Sequence, residues 1–393
     1  MKAKLVPIKN CVVKAKTWNP VNEAKDEIIT YIDIAAVDKD LKKIVEPTLC
    51  LGSEAPSRAR QLVQKNDVLV STVRPNLNSV AVVSEKFSGA TASTGYTVLR
   101  PLHEILDTQY LFHWVKTDHF INEMVKLATG QSYPAVSDKI ILNSLIPLPP
   151  LSEQRRIASI LDKADELRQK RQQAIEKLDQ LLQATFIDMF GDFQINPMNW
   201  QTKPLSEVVN NTTIVTYGIV QAGEEYRDGI PYIRTGDIKN GSILTENLSR
   251  TDPEIAKKFK RSEVQTGDIV MSIRATVGTT ALVPKILNGA NLTQGTARIA
   301  VGENIEREYA LYHLRCQATQ NWIQKQVKGA TFREITLGKL RELPVYLPPR
   351  DLQKKFVEIY NSIEMLKLNA NKSLESSKQL FKSLQNQAFS GNL

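Results

Sequence analysis

Residues 147–192 read PLPPLSEQRRIASILDKADELRQKRQQAIEKLDQLLQATFIDMFGD. A proline pair, Pro149-Pro150, stops whatever precedes it, because proline lacks an amide proton and cannot continue a helix or a central strand. Ser152 then offers an N-cap, and a charged, leucine-rich run follows with no helix breaker until Gly191. Apolar residues recur at heptad spacing: one seam is Ile157, Ala164, Arg171 and Leu178, and the other is Ile160, Leu167, Ala174 and Leu181. Two such seams with charges between them predict a long helix that pairs with another helix. The helix holds seven basic and seven acidic residues between 152 and 190, so it suits a protein partner better than phosphate.

The same plan is written again near the C-terminus. VYLPPRDLQ (345–353) matches IPLPPLSEQ (146–154) at an offset of 199, with Asp351 as the equivalent N-cap. The equivalent seams are Phe356, Ile363, Ala370, Ser377 and Ile359, Leu366, Ser373, Leu380, closed by Gly391. Working outward, Tyr110 matches Tyr309, Gly130 matches Gly329 and Gln154 matches Gln353, all at 199. Tyr31-Ile32, Arg60 and DVLVS (67–71) match Tyr232-Ile233, Arg261 and DIVMS (268–272) at 201, and Gly95 matches Gly295 at 200. Small indels account for the drift. The chain is an internal duplication.

Each half opens with about 150 residues of mixed strand and helix signals. Asp67–Val73 and Ser79–Val83 read as strands. Thr108–Ala128 and Arg307–Lys328 read as helical stretches ended by Gly130 and Gly329 as C-caps. The reading is therefore α/β (α+β) domains at 1–150 and 192–349, alternating with long helices at 151–191 and 350–393. The helices pair as an antiparallel coiled coil on a pseudo-two-fold frame, with Ile157 near Leu380 to Leu384. The segment from Ile157 to Met189 spans roughly 50 Å at 1.5 Å per residue, about a turn and a half of B-DNA at most.

Composition bounds the function. The 393 residues are 42% hydrophobic and 24% charged, a globular balance. No apolar run approaches the ~18 residues of a membrane span, there is no signal-peptide pattern, and a cytoplasmic protein is expected. Cys11, Cys50 and Cys316 are too few and too scattered for a disulfide scaffold or a zinc ribbon. A net charge of +9 permits nucleic-acid binding without requiring it. Catalytic constellations are missing: no P-loop, no zincin or G-x-S-x-G motif, and no asparagine or aspartate before the proline pairs to make a methyltransferase N-P-P-Y. Glu23-Ala24-Lys25 is an isolated E-x-K. His113 and His119 beside Trp114 and Phe120 read as packing residues.

The proline-pair–SEQ–helix signature, its echo in the second half, and the AFSGNL end resemble the specificity subunit of a type I restriction-modification enzyme, along essentially the whole chain. The second entrance departs from the pattern, with PPRDLQKKF where the first has PPLSEQRRI. The resemblance implies two target recognition domains, each reading one half of a split double-stranded DNA site, and no catalysis by the chain. It also implies helices that dock two methyltransferase subunits, with restriction and motor subunits joining them. S-adenosylmethionine, ATP and Mg are then expected only in those partners. Alternatives are a stand-alone DNA-bridging protein and a coiled-coil scaffold without methyltransferase partners.

Base reading needs donors and acceptors on loops. The candidates are Arg74, Asn76 and Asn78 after the DVLVS strand, and Gln131, Ser132 and Tyr133 after Gly130. In the second half they are Arg274 and Thr276, then Thr331, Phe332 and Arg333. Arg60 and Arg261 are candidates for phosphate contacts. Ile157, Ile160, Leu167, Leu178, Leu181, Phe356, Ile359, Ile363, Leu366 and Leu380 are assigned to helix pairing or partner docking.

Overall fold

The computed structural model describes residues 3–210, 213–329 and 333–393. The chain divides into two compact units, residues 1–172 with 371–393, and residues 173–370. Each unit thus combines one α/β body with half of each long helix.

In the first unit an antiparallel strand pair, Lys4–Pro7 with Leu145–Leu148, leads into the long helix. Behind it lies a four-stranded antiparallel sheet in the order Val80–Val82, Val68–Ser71, Tyr96–Pro101, Val12–Lys14. A five-stranded mixed sheet runs Lys16–Thr17, Ala59–Leu62, Thr91–Ser93, Ile28–Ile32, Thr48–Leu51. The second unit repeats this plan, with a mixed sheet of three strands in place of five. Gln201–Pro204 pairs with Pro344–Leu347, Ile269–Ser272 sits between Thr296–Ile299 and Thr280–Leu282, and Ile230–Ile233 runs parallel to Asn291–Leu292. Of the β-branched runs read from sequence, the one at 79–83 forms the edge strand Val80–Val82, while the one at 67–73 and its repeat form fully buried inner strands, Val68–Ser71 and Ile269–Ser272. A buried ion pair recurs beside them, Arg100 on Asp67 and Arg298 on Asp268, each at 2.7 Å.

The helical stretches depart from expectation. Thr108–Ala128 is two helices, Thr108–Val115 and Asp118–Leu127, because the Thr117 side chain caps the second by accepting from the Phe120 amide. Arg307–Arg315 and Gln317–Gln326 are broken at the matching place. The helices end on Ala128 and Val327 in extended conformation. Gly130 and Gly329, at φ +100 and +85, turn the chain two residues later.

The long helices are Leu151–Phe190, 40 residues, and Arg350–Ser390, 41 residues. The carbonyls of Pro150 and Pro349 accept their first hydrogen bonds, so Ser152 and Asp351 lie inside the first turn and do not cap it. Gly191 and Gly391, at φ +78 and +79, end them as expected. In the first unit, Ile157, Ala158 and Leu161 share a core with Phe381, Leu384 and Ala388, and Arg171 bonds Ser377. In the second, Phe186 and Phe190 pack on Phe356, and Asp179 pairs with Lys367 at 2.7 Å. The paired segments run antiparallel in both units. Ile157 shares its core with Ala388, about a turn beyond the expected Leu380 to Leu384, and the neighbouring Arg156 donates to the Leu393 carbonyl.

One seam was misassigned. Ile157, Leu178, Phe356 and Ile363 lie in the contact, but the second seam is shifted by one residue. It runs Leu161, Arg168, Ile175, Leu182 on one helix and Tyr360, Lys367, Leu374, Phe381 on the other. Ile160 is only half-buried, and Leu167, Leu181, Ile359, Leu366 and Leu380 face outward, at 37–58% exposure. They do not pair the helices. No helix among the described residues is long and apolar enough to cross a membrane.

Candidate nucleic-acid interface

After the central strand Val68–Ser71 the chain makes a tight turn, Pro75–Leu77, between two left-handed residues, Arg74 at φ +49 and Asn78 at φ +46. Such a conformation costs a non-glycine residue about 1–3 kcal/mol unless its surroundings enforce it. Here they do. The Arg74 amide donates to the Pro134 carbonyl at 2.7 Å, the Val136 amide to Thr72 at 2.9 Å, and Val73 bridges Ala135. Thr72 is tied in turn to the Gly95 carbonyl by its amide and its hydroxyl. The loop of Gln131–Tyr133 is thereby latched onto the loop of Arg74–Asn76. Gly130 is required at that corner, since a Cβ would stand 2.9 Å from the Tyr133 carbonyl oxygen.

The second body builds the same latch. Arg274 bridges Glu334, the Ala275 amide donates to the Arg333 carbonyl at 3.0 Å, and Ile273 donates to Gly295 at 2.8 Å. Ala275 is left-handed at φ +56. The structural equivalent of Arg74 is therefore Ala275, and that of Arg274 is Val73.

The candidate residues separate accordingly. Arg74, Asn76, Gln131, Ser132 and Tyr133 are exposed on one latched pair of loops, with the Arg74 guanidinium 4.8 Å from the centre of the Tyr133 ring. Among the described residues Arg74 has no carboxylate partner. Asn78 is removed from the readers: it is buried, and its amide donates to the Val115 carbonyl while its own carbonyl accepts from Lys42. Arg274 is half-exposed but held by Glu334 at 2.8 Å. Thr276 is exposed and shares a hydrogen bond with Ser272. Arg333 is exposed and bonds Gln324. Thr331 and Phe332 lie outside the described residues. Arg60 donates to the neighbouring Ala59 carbonyl, and Arg261 is exposed on the turn Lys260–Ser262.

Other charged groups fasten the first body to the helices. His113, buried, bonds Asp162 at 2.7 Å, and burial holds its pKa below the usual range against the pull of that carboxylate. Lys116 is buried 3.6 Å from Asp165 and 4.2 Å from the centre of the Phe112 ring. Burial, reinforced by Lys116, pushes the Lys42 ammonium down to about 8. In the second body Arg315 occupies the place of Lys116 and donates to the carbonyls of Gly241 and Thr280, both at 2.9 Å. The sequence reading takes His113 for a packing residue, whereas it is buried and also bonds Asp162, and it passes over Lys42, Lys116 and Arg315. The repeat offset of 199, which aligns Lys116 with Arg315 and Asp165 with Glu364, was the available signal.

Two repeated α/β bodies, each presenting a latched pair of loops and each joined to long paired helices, define a duplicated recognition scaffold. The chain belongs to the family of the type I restriction modification DNA specificity domain, whose model matches residues 51–177 and 197–376. It is 26% identical over 286 residues to the EcoBI specificity subunit of Escherichia coli, a match covering 66% of this chain and 60% of that one. The chain thus matches less than two thirds of the length of that relative. With the MjaVIII specificity subunit of Methanocaldococcus jannaschii, identity is 25% over 356 residues, 84% of this chain and 80% of the relative. A solved chain from work on complex assembly and conformational transition of the type I restriction-modification system superposes with a TM-score of 0.61. It is 26% identical, with 100% of this chain and 98% of that one covered.

Proposed function

We propose that this chain is the non-catalytic DNA-recognition subunit of a type I restriction-modification complex. Each body reads one half of a split double-stranded site, and the long helices hold methyltransferase subunits in place. The observation that carries the reading is the latch. The same enforced left-handed backbone recurs in both bodies, yet it displays Arg74 stacked on Tyr133 in one and Ala275 beside an ion-paired Arg274 in the other. A shared frame with different side chains suits two different half-sites. Family membership favours this over a stand-alone bridging protein or scaffold.

The outward leucines suit the partners. Leu167, Leu181, Ile359, Leu366 and Leu380 are exposed apolar positions along helices whose pairing they do not serve, and this reading assigns them to contact with the methyltransferase subunits. Two methyltransferase subunits, and through them restriction and motor subunits, are the partners this reading assigns, along with the DNA. The partners supply S-adenosylmethionine, ATP and Mg, and the chain supplies the address. The test is transfer of labelled methyl from S-adenosylmethionine to DNA. The chain alone should transfer none, the methyltransferase subunit alone little, and the two together should label one split site. Robust transfer by the chain alone would overturn the proposal.

A further inference from the structure

One glutamine fastens each body to the long helix that follows it. Gln154, 0% exposed, accepts the Asp107 amide on Oε1 at 2.9 Å and donates through Nε2 to the carbonyls of Ile105 and Pro149, both at 2.9 Å. Gln353, 1% exposed, accepts the Glu306 amide and donates to the Pro348 carbonyl, again at 2.9 Å. Asp107 and Glu306 are the N-caps of Thr108–Val115 and Arg307–Arg315, so the glutamine joins the start of a body helix to the start of a long helix. Only a primary amide offers an acceptor and two donors in one plane, which is what three buried backbone groups around Gln154 require. Tyr110 and Tyr309 reinforce the joint by donating to the carbonyls of Pro147 and Tyr346 at 2.8 and 2.9 Å. Neither glutamine belongs to a reader loop.

We propose that Gln154 and Gln353 are positioning residues that fix the angle between each recognition body and its long helix, and thereby the gap between the two half-sites. The inference rests on the DNA-recognition reading above. A body of about 150 residues has a radius of gyration near 15 Å, which serves as the lever from joint to loops. A swing of about 13° at the joint therefore carries its loops about 3.4 Å, one base-pair step. The apolar core around Ile157 and the contacts of Asp162 and Asp165 still hold the first body, so loss of these hydrogen bonds loosens the joint at the helix entrance without detaching it.

The test uses the full chain with its methyltransferase partner on duplexes that share both half-sites and differ in gap by one base pair either way. Wild type should methylate one gap length. Gln154→Leu and Gln353→Leu should raise methylation at neighbouring gaps about tenfold relative to the preferred gap, with half-site bases unchanged. Gln154→Glu keeps the shape and the Oε1 acceptor but offers the two carbonyls one donor at most, and only when protonated. It should do the same, and it carries the comparison if the leucine variants fail to fold. Variants that lower methylation in proportion at every gap would overturn the proposal and leave the glutamines merely structural, as would a wild type indifferent to gap length. A wild type with no sequence-specific methylation would instead overturn the DNA reading itself.

Discussion

Arg74 and Ala275 occupy the same backbone position in the two bodies. They are left-handed at φ +49 and +56, and each donates its amide to the carbonyl of an equivalent latch residue, Pro134 or Arg333. The frame is conserved between the halves and the chemistry is not. Arg74→Ala should therefore weaken recognition of one half-site only, by about 1–3 kcal/mol if the guanidinium meets a base. Arg274→Ala, which removes a group already neutralised by Glu334, should change DNA selectivity much less. Binding measured on duplexes with each half-site randomised in turn checks both, and equal effects at both half-sites would count against the assignment.

The seam makes a second contrast. Leu182 is buried between the helices while its neighbour Leu181 is 53% exposed. Leu182→Ala should cost about 2–5 kcal/mol of stability. Leu181→Ala should stay within about 0.5 kcal/mol and should weaken binding of the methyltransferase subunit. Denaturant unfolding and subunit titration separate the two.

Histidine burial sets an acid limit. Burial pushes the pKa of His313 down to about 3, and its Nε2 accepts the Tyr346 amide, a bond that protonation would abolish. The folded pKa is depressed, so the unfolded chain binds the proton first. The stability this group contributes is full about a unit above pH 6.5 and is lost as the pH falls through 6.5 toward 3. Between pH 7.5 and 5 the loss from this group is about 2 kcal/mol. In His313→Phe the pH dependence of denaturant unfolding should flatten by that amount, whatever the variant's absolute stability; an unchanged slope would refute the assignment.

Helix length should set the gap. Matched insertions of seven residues after Gln172 and after Ala370 keep the heptad register and lengthen each helix by about 10.5 Å, about three base pairs. The gap should widen by that much with the same half-site bases. If the insertions changed the bases and not the gap, the helices would not be the ruler.

Much of this architecture was legible in the sequence because duplication writes its signals twice. The proline pairs, the terminal glycines and the buried strands are each confirmed by an echo. The second seam was not legible. Leucines at 167, 181, 366 and 380 outshine the residues that do face the partner helix, among them Arg168 and Lys367, whose apolar stems pack while their charges pair with Asp165, Asp179 and Glu364. Asn78 looked like a base reader because asparagines suit loops. Its burial depends on Lys42 and Val115, both more than thirty residues away in sequence. The arginines of the two turns invited alignment by chemistry, although the offset of 201 already matched Arg74 with Ala275.

The most direct test of the central claim is methylome sequencing of a host without other adenine methyltransferases, carrying the methyltransferase subunit with and without this chain. The account predicts one split methylated motif that appears only when the chain is present and loses definition in one half with Arg74→Ala. A motif that forms without the chain, or no motif when both are expressed, would contradict it.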